Sequence, residues 1–490
     1  MSLRLGLMCR LFLIELRISH AFIVAQFFVC LYTLNMKKIE DFGIRVPEIL
    51  LPKNIDVSSW AVIACDQYTQ DLDYWKRAEA AAAGKPSTLN LILPEVYLGA
   101  PDKAERIKKI RESMGNYLAE GAGSQGSVFA AARNCMVYIE RTTAFGRMRR
   151  GLVTQIDLET YEWKPFSKAN IRATEATIVE RIPPRMEIRR GAPLELPHIM
   201  LLVDDKEDYL VGGAGRAVKA KAPLYSGELM CNGGSITGWA VESVDELAGV
   251  TEAVAKLADG KRANDGSTFL FAVGDGNHSL ATAKAVWDEY KESLIAKGAD
   301  EATLRDCPVR YALVEIVNIY DCGLTFEPIH RVIFDCNVEG LIKTLDEKLG
   351  GTVSEAAGAA ELEAAVKASQ ADFGFAYRDG TGAQKYVLLK TEIKELAVAR
   401  LQPEIDAFLK GPNAASGTEG KKPEIDYIHG SEEVLKLGER DNAVGILLPP
   451  IAKDSFFETI SGRGPLPRKS FSMGEADEKR FYLECRKLFN

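Results

Sequence analysis

The stretch Thr268 to Tyr290, TFLFAVGDGNHSLATAKAVWDEY, restricts the fold of this chain more than any other. Phe269 to Val273 is a short apolar run bounded by polar and glycine residues, the length and composition of a strand buried on both faces. It breaks at Gly274, Asp275 and Gly276, where glycine permits backbone conformations that side-chain-bearing residues resist. From Ser279 onward, Leu280, Ala283, Trp287 and Tyr290 recur at helical spacing, leaving Lys284, Asp288 and Glu289 to water. The pattern predicts a strand, a tight turn and a helix. Such a junction presents unpaired backbone N–H groups and the positive end of the helix dipole to an anion, with Asn277 or Ser279 as the expected cap. Asp275 and His278 on the turn would add an acid and an imidazole to a phosphate cradle. The plainer reading is a connection whose Asp and His only cap and hydrogen-bond.

Gly274-Asp275-Gly276-Asn277-His278-Ser279, followed by an alanine-rich helix, resembles the Asp-Gly-His-His-Arg motif of a bacterial family, domain of unknown function 1015. Arg172-Ala-Thr-Glu175-Ala-Thr177 resembles that family's basic-x-x-Glu-x-Thr segment. Pro328-Ile-His330-Arg331 resembles its Pro-Thr-His-Arg, and Pro467-Arg-Lys469-Ser470 its late Pro-x-Lys-Ser. The resemblance runs from Phe42 to the C-terminus. More remotely, the turn is similar to the phosphate-binding turn of ParB-like and sulfiredoxin-like domains, a superfamily that includes free serine kinases. In one respect the chain departs from the motif. Its second His and its Arg are here His278 and Ser279, so a phosphate-clamping arginine must come from elsewhere.

The resemblance implies a ParB/sulfiredoxin-like core and an ATP- or ADP-dependent kinase of a small hydroxyl compound such as free serine. Asp275, His278 and Glu175 would be catalytic, with Asp275 or Glu175 deprotonating the hydroxyl. Gly274, Gly276, Asn277, Ser279, Arg172, His330, Arg331, Lys469 and Ser470 would bind phosphate or substrate, and Mg²⁺ would offset charge on the transferring group. Two rivals use the same turn: a phosphohydrolase or nuclease, and a non-catalytic nucleotide-binding regulator. Walker-A and protein-kinase signatures are both lacking.

At 490 residues the chain exceeds a single typical core, and we expect several regions. These are an apolar extension at 1–35, an N-terminal α/β region at 36–165, a central region with the DGNH turn at 166–345, and a C-terminal α/β region at 346–490. Net charge is -8, which disfavours nucleic acid; a nucleotide and a small-molecule substrate are the partners the resemblance implies. The 9 cysteines are scattered, without a CxxC pair, and the 5 histidines show no metal-binding spacing. Reduced thiols in the cytoplasm are the expectation.

Leu11 to Leu34 is apolar but interrupted by Glu15, Arg17 and His20, so no membrane span is expected. We read 1–35 as an upstream extension from a misassigned start codon, with a membrane anchor as the alternative.

Strand and helix signals then alternate, predicting α/β architecture with mixed sheets; α+β is the alternative. Trp60–Ala64 and Leu89–Leu93 read as strands, with Asp66 just past the first, where active-site groups gather in open sheets. Asp71–Ala83 and Asp102–Ala119 read as helices, and Leu152, Thr154, Ile156 and Leu158 as one face of a half-exposed strand. In a helix, Arg172 and Glu175 would share a face, and for the arginines that follow, among them Arg181 and Arg185, surface ion pairs are expected. Leu196–Asp205 reads as a central strand ending in a surface turn at Asp204-Asp205, with a Mg²⁺ site as the rival reading. The glycine-rich segment Val211–Gly238 reads as loop, with a mobile lid as the rival reading, Gly411–Lys422 as a linker, and the basic segment Ile460–Phe471 as solvated surface, with a reach back to the phosphate turn as the rival reading.

Overall fold

The computed structural model describes residues 38–119, 128–415 and 421–489. The extension expected at 1–35 and part of the linker expected at Gly411–Lys422 lie outside them.

The architecture is mixed α/β, with a ten-stranded sheet and a six-stranded sheet as its largest parts. The elements that place the site are β1 (Met136–Thr142), β2 (Met148–Asp157), β3 (Ile171–Ala173), α1 (Ile182–Arg189), β4 (Met200–Val203), β5 (Phe271–Asp275), α2 (Asn277–Ala296) and β6 (Tyr311–Asn318). In the large sheet they run in the order β1, β2, β6, β4, β5, β3. β4 is parallel to β6 and antiparallel to β5, and β5 is parallel to β3, so the sheet is mixed. In the smaller sheet His330–Phe334 lies between Val444–Leu447 and Glu424–Ile428, antiparallel to both.

Side-chain alternation explains why the central strands are apolar throughout. Leu201, Val203, Phe271 and Val273 face a core that includes Leu280 and Trp287 of α2. Met200, Leu202 and Ala272 face the opposite way, into a core shared with Phe375 and Ile446 of the smaller sheet. The half-exposed strand expected at Leu152–Leu158 is therefore corrected. Leu152 and Ile156 belong to the first core and Val153 to a third, because helices and strands cover both faces of β2.

Three further expectations are overturned. Leu89–Leu93 forms no strand; Thr88–Leu91 is a 3₁₀ helix, with the Leu89 N–H donating to Ser87 Oγ at 3.2 Å and Thr88 Oγ1 bonded to the Trp60 carbonyl at 2.8 Å. The Val211–Gly238 loop contains the helix Val211–Val218 and the hairpin strands Tyr225–Glu228 and Ser235–Val241. Glycine serves close packing there: a Cβ at Gly215 would lie 2.4 Å from Tyr138 Cζ. The strand expected at Leu196–Asp205 shortens to Met200–Val203, and the turn after it is not a surface one at Asp205, which is buried with its Oδ2 accepting from the Leu210 N–H at 2.8 Å, while Asp204 is paired to Lys261.

The C-terminal segment crosses the molecule in short pairings. Phe471–Met473 pairs with Phe326–Pro328, Phe481–Tyr482 with Val62–Ile63, and Arg486–Lys487 with Leu194–Glu195.

Candidate functional site

The junction of β5 and α2 is the strand-turn-helix that the sequence predicts, starting two residues earlier at the helix end. Gly276 has φ +80°, the left-handed region that glycine alone enters freely. At Gly274 a Cβ would meet Leu202 Cγ and Met473 Sδ, both at 2.8 Å, so only glycine lets the strand end pass between them.

Neither expected cap acts as one, and no side chain caps this helix. Asn277 turns to β3's end, where its Oδ1 accepts from the Thr174 N–H at 3.3 Å and its Nδ2 donates to Thr174 Oγ1 at 3.2 Å. Ser279 Oγ shares a hydrogen bond with His198 Nε2 at 2.8 Å. The first helical bond runs from the Leu280 N–H to the Gly276 carbonyl, leaving the N–H groups before it directed outward.

They open into a cleft of about 800 Å³. Gly274, Asp275, Gly276, Asn277, His278 and Ser279 form one wall, and Glu175 and Lys469 lie on another. Glu175 and Lys469 meet because the chain beyond Gly464 returns to β3. The Leu466 N–H donates to the Thr174 carbonyl at 2.7 Å, and the Ala176 N–H donates to the Leu466 carbonyl at 3.2 Å. Lys469 has φ +59°, which bends the loop so that the Ser470 N–H donates to Glu175 Oε1 at 3.1 Å. The basic segment expected as solvated surface thus reaches back to the turn.

Arg172 and Glu175 do not share a helix. Arg172 lies in β3, buried over the Phe269 ring and donating to the Ala169 carbonyl. His330 opens instead onto a separate cavity of about 390 Å³, with its Nδ1 accepting from the Leu448 N–H at 3.1 Å. Arg331 is fully buried, bonded to Gln402 Oε1 at 2.9 Å and to the Ile329 carbonyl. Ser470 is buried with its hydroxyl on the Pro467 carbonyl. The cleft therefore gathers eight of the residues singled out from sequence and leaves Arg172, His330, Arg331 and the Ser470 side chain outside.

Sequence reasoning missed Lys479, Arg181 and Arg185 as wall residues. Lys479 Nζ stands 3.2 Å from Asp275 Oδ2, while Asp275 Oδ1 accepts from the Gly276 N–H at 2.9 Å. Arg185 pairs with Glu95 across the cleft's edge and donates to the Arg181 carbonyl at 2.9 Å. The spacing of Arg181 and Arg185 was the available signal, since it places both on one side of a helix. Asp66, noted at its strand end, also lines the cleft.

Burial dominates the electrostatics. It pushes the Glu175 carboxyl up to about 7, with Asp275 adding to the rise and the backbone N–H groups of Ser470 and Lys469 opposing it. His278 falls to about 4 through burial and the charges of Arg181 and Arg185. Its Nε2 accepts from the Ile178 N–H at 3.2 Å, so the ring is neutral with its proton on Nδ1.

Among the described residues, no group of three or more His, Cys, Asp or Glu side chains forms a metal cluster. The described cysteines are unpaired, and no described helix is long and apolar enough to cross a membrane.

Several solved structures are similar to this chain. A free serine kinase variant in complex with AMP shares 12% identity over 69% of this chain and 92% of its own, with a TM-score of 0.35. A conserved hypothetical protein from Pyrococcus furiosus shares 12% identity over 68% and 94%, with a TM-score of 0.31. C-terminally truncated SbnI from Staphylococcus aureus shares 9% identity over 66% and 82%, with a TM-score of 0.29. No curated protein matches the chain. The family model described as "Protein of unknown function (DUF1015)" matches residues 49–408, and the chain belongs to that family.

Proposed function

We propose that the cleft binds a nucleotide, ATP or ADP, and transfers a phosphoryl group to the hydroxyl of a small molecule. The observation that supports this reading is the combination at one cleft of an uncapped helix terminus, several cations and a carboxyl held near neutrality. Phosphoryl transfer asks mainly for positioning and for positive charge near the equatorial oxygens. Backbone N–H groups at the start of α2 would hold phosphate oxygens. Arg181 and Lys469, which have no ion-pair partner among the described residues, would supply charge alongside Lys479.

Glu175 is the better general base. A base is most effective when its pKa lies near the working pH, and at about 7 Glu175 meets that condition. Asp275 is occupied by the turn and by Lys479, so its role in this reading is to position both. Neutral His278 would donate a hydrogen bond from Nδ1 rather than bring charge.

Asp66 and Glu180 line the cleft without ion-pair partners among the described residues. Either carboxylate, together with phosphate oxygens, would offer the kind of donor that Mg²⁺ usually takes, and the ion would offset charge on the phosphates.

The test is incubation with γ-labelled ATP, Mg²⁺ and a panel of hydroxyl compounds. Label should appear in an acceptor, and Glu175→Gln should lower that transfer by about 10²-fold or more. Phosphate release without any labelled acceptor would favour hydrolysis, and nucleotide binding without turnover would end the catalytic reading.

A further inference from the structure

Behind the cleft lies a second chamber of about 140 Å³, and the two share Glu95, Leu98, Arg185 and Ser279 as common wall. The chamber differs sharply in chemistry from the cleft. Leu91, Leu93, Met114, Ile188, Ala192 and Leu196 contribute most of what matters, drawn from the 3₁₀ segment, a helix of the N-terminal region and the chain around α1.

Most of its polar side chains are already engaged; Arg189 Nε is buried there without a hydrogen-bond partner. Ser279 Oγ bonds His198 Nε2 at 2.8 Å, His198 Nδ1 bonds the Tyr482 hydroxyl at 2.7 Å, and that hydroxyl donates to Cys65 Sγ at 3.1 Å. Thr282 Oγ1 donates to the His278 carbonyl at 2.7 Å, Arg189 faces Glu195 at 2.6 Å, and Arg185 is paired with Glu95. A ligand that needed more than the one free donor of Arg189 would have to break these. An apolar group need break none, and an aliphatic-lined cavity of about 150 Å³ is known to stay dry and to accept a benzene-sized guest.

We infer that the acceptor in the proposed transfer carries an apolar arm of about the size of a phenyl or isobutyl group, which occupies this chamber while its hydroxyl faces the cleft. The inference rests on the phosphoryl-transfer reading and narrows its substrate class. A compound as small as free serine would leave the chamber empty, so the preferred acceptor is an aryl- or alkyl-bearing alcohol.

The probe is 2-(4-fluorophenyl)ethanol, followed by ¹⁹F NMR in titrations of the full chain, with glycerol as a hydroxyl compound that lacks the arm. Ala192→Leu and, independently, Met114→Phe fill the chamber without touching the cleft, and thermal melts establish that each variant folds. We expect saturable binding to the natural protein, at least about tenfold weaker in whichever variant melts normally, and not competed by glycerol. ADP affinity, read by calorimetry, should be the same in all three proteins. Absence of saturable probe binding, or equal binding in a folded filled variant, overturns the inference. If ADP still binds in that case, the cleft reading survives its loss; if ADP fails to bind as well, both fall together.

Discussion

Lys479 Nζ lies 3.2 Å from Asp275 Oδ2, tying the C-terminal segment to the turn between β5 and α2. Both side chains are largely shielded, at 12% and 21% exposure, so the pair is screened less than a surface one. Asp275 thereby fixes the turn with one oxygen and a cleft cation with the other. Lys479→Met should weaken ADP binding by about tenfold or more, through loss of a charge-assisted contact to phosphate. It should change the melting temperature little, because one partly exposed pair contributes about 1 kcal/mol. Calorimetric titration with ADP measures the first effect and a thermal melt the second. Unchanged ADP affinity would remove Lys479 from the site.

Glu175 supports a prediction with opposite signs for activity and stability. Its carboxyl rises from 4.5 to about 7 on folding, so the folded state favours the protonated form. That contribution is fully present below pH 4.5 and is lost as pH rises through 7. Glu175→Gln imitates the neutral form and should stabilise the protein at pH 8 by about 1–3 kcal/mol, while changing little at pH 4. Transfer by the natural protein should rise through pH 7 as the carboxylate forms, and the variant should lose both the rate and that rise. Urea unfolding at the two pH values and a pH–rate profile check the pair of effects.

For His278 and His330 the sign is reversed. Each is held near 4, by burial first and neighbouring arginines second, against 6.5 when exposed. The stability this brings is present above pH 6.5 and is lost as pH falls toward 4. For His278 alone the loss is about 1–3 kcal/mol, the lower part of that range allowing for its partial exposure. ¹H–¹⁵N correlation spectra of the imidazoles should show both rings neutral at pH 5, with Nδ1 protonated in His278. A His278 midpoint near 6.5 would contradict the packing of α1 against this ring.

The turn was legible in the sequence because local rules decide it: an apolar run, two glycines and a helical period all sit within Thr268 to Tyr290. The rest of the cleft is assembled by long-range pairing that no local pattern encodes. Lys469 reaches Glu175 only because Leu466 bonds to Thr174, and Lys479 reaches Asp275 only because the segments on either side of it pair with Phe326–Pro328 and with Val62–Ile63. Arg181 and Arg185 were masked by the glutamates around them, whose alternation with arginine is also what a solvated helix face shows. The helix at Val211–Val218 was hidden by glycines that usually signal loops, and here permit contact with Tyr138. His330 and Arg331 match the family's motif yet stay outside the cleft, since the motif records a strand of the smaller sheet as well as any site.

The same C-terminal segment supplies the last prediction, which concerns what holds it down. Arg480 is 2% exposed and bridges two carboxylates, Glu315 of β6 and Glu484, that are both fully buried. Gly151 of β2 makes room for this arrangement, since a Cβ there would lie 2.3 Å from Glu315 Oε1. Removing one member of such a network strands charges that water cannot reach, which costs far more than the intact network contributes. Arg480→Met should therefore destabilise the fold by about 3–5 kcal/mol. Gly151→Ala should also be costly, by the different route of forcing Glu315 out of place. Because Lys479 precedes Arg480, the loosened segment should carry its cation away from Asp275, and ADP affinity should fall even under conditions where the variant remains folded. Urea unfolding gives the first number and calorimetry the second. A variant that lost stability yet bound ADP at full strength would show that the segment is a structural brace with no part in the cleft.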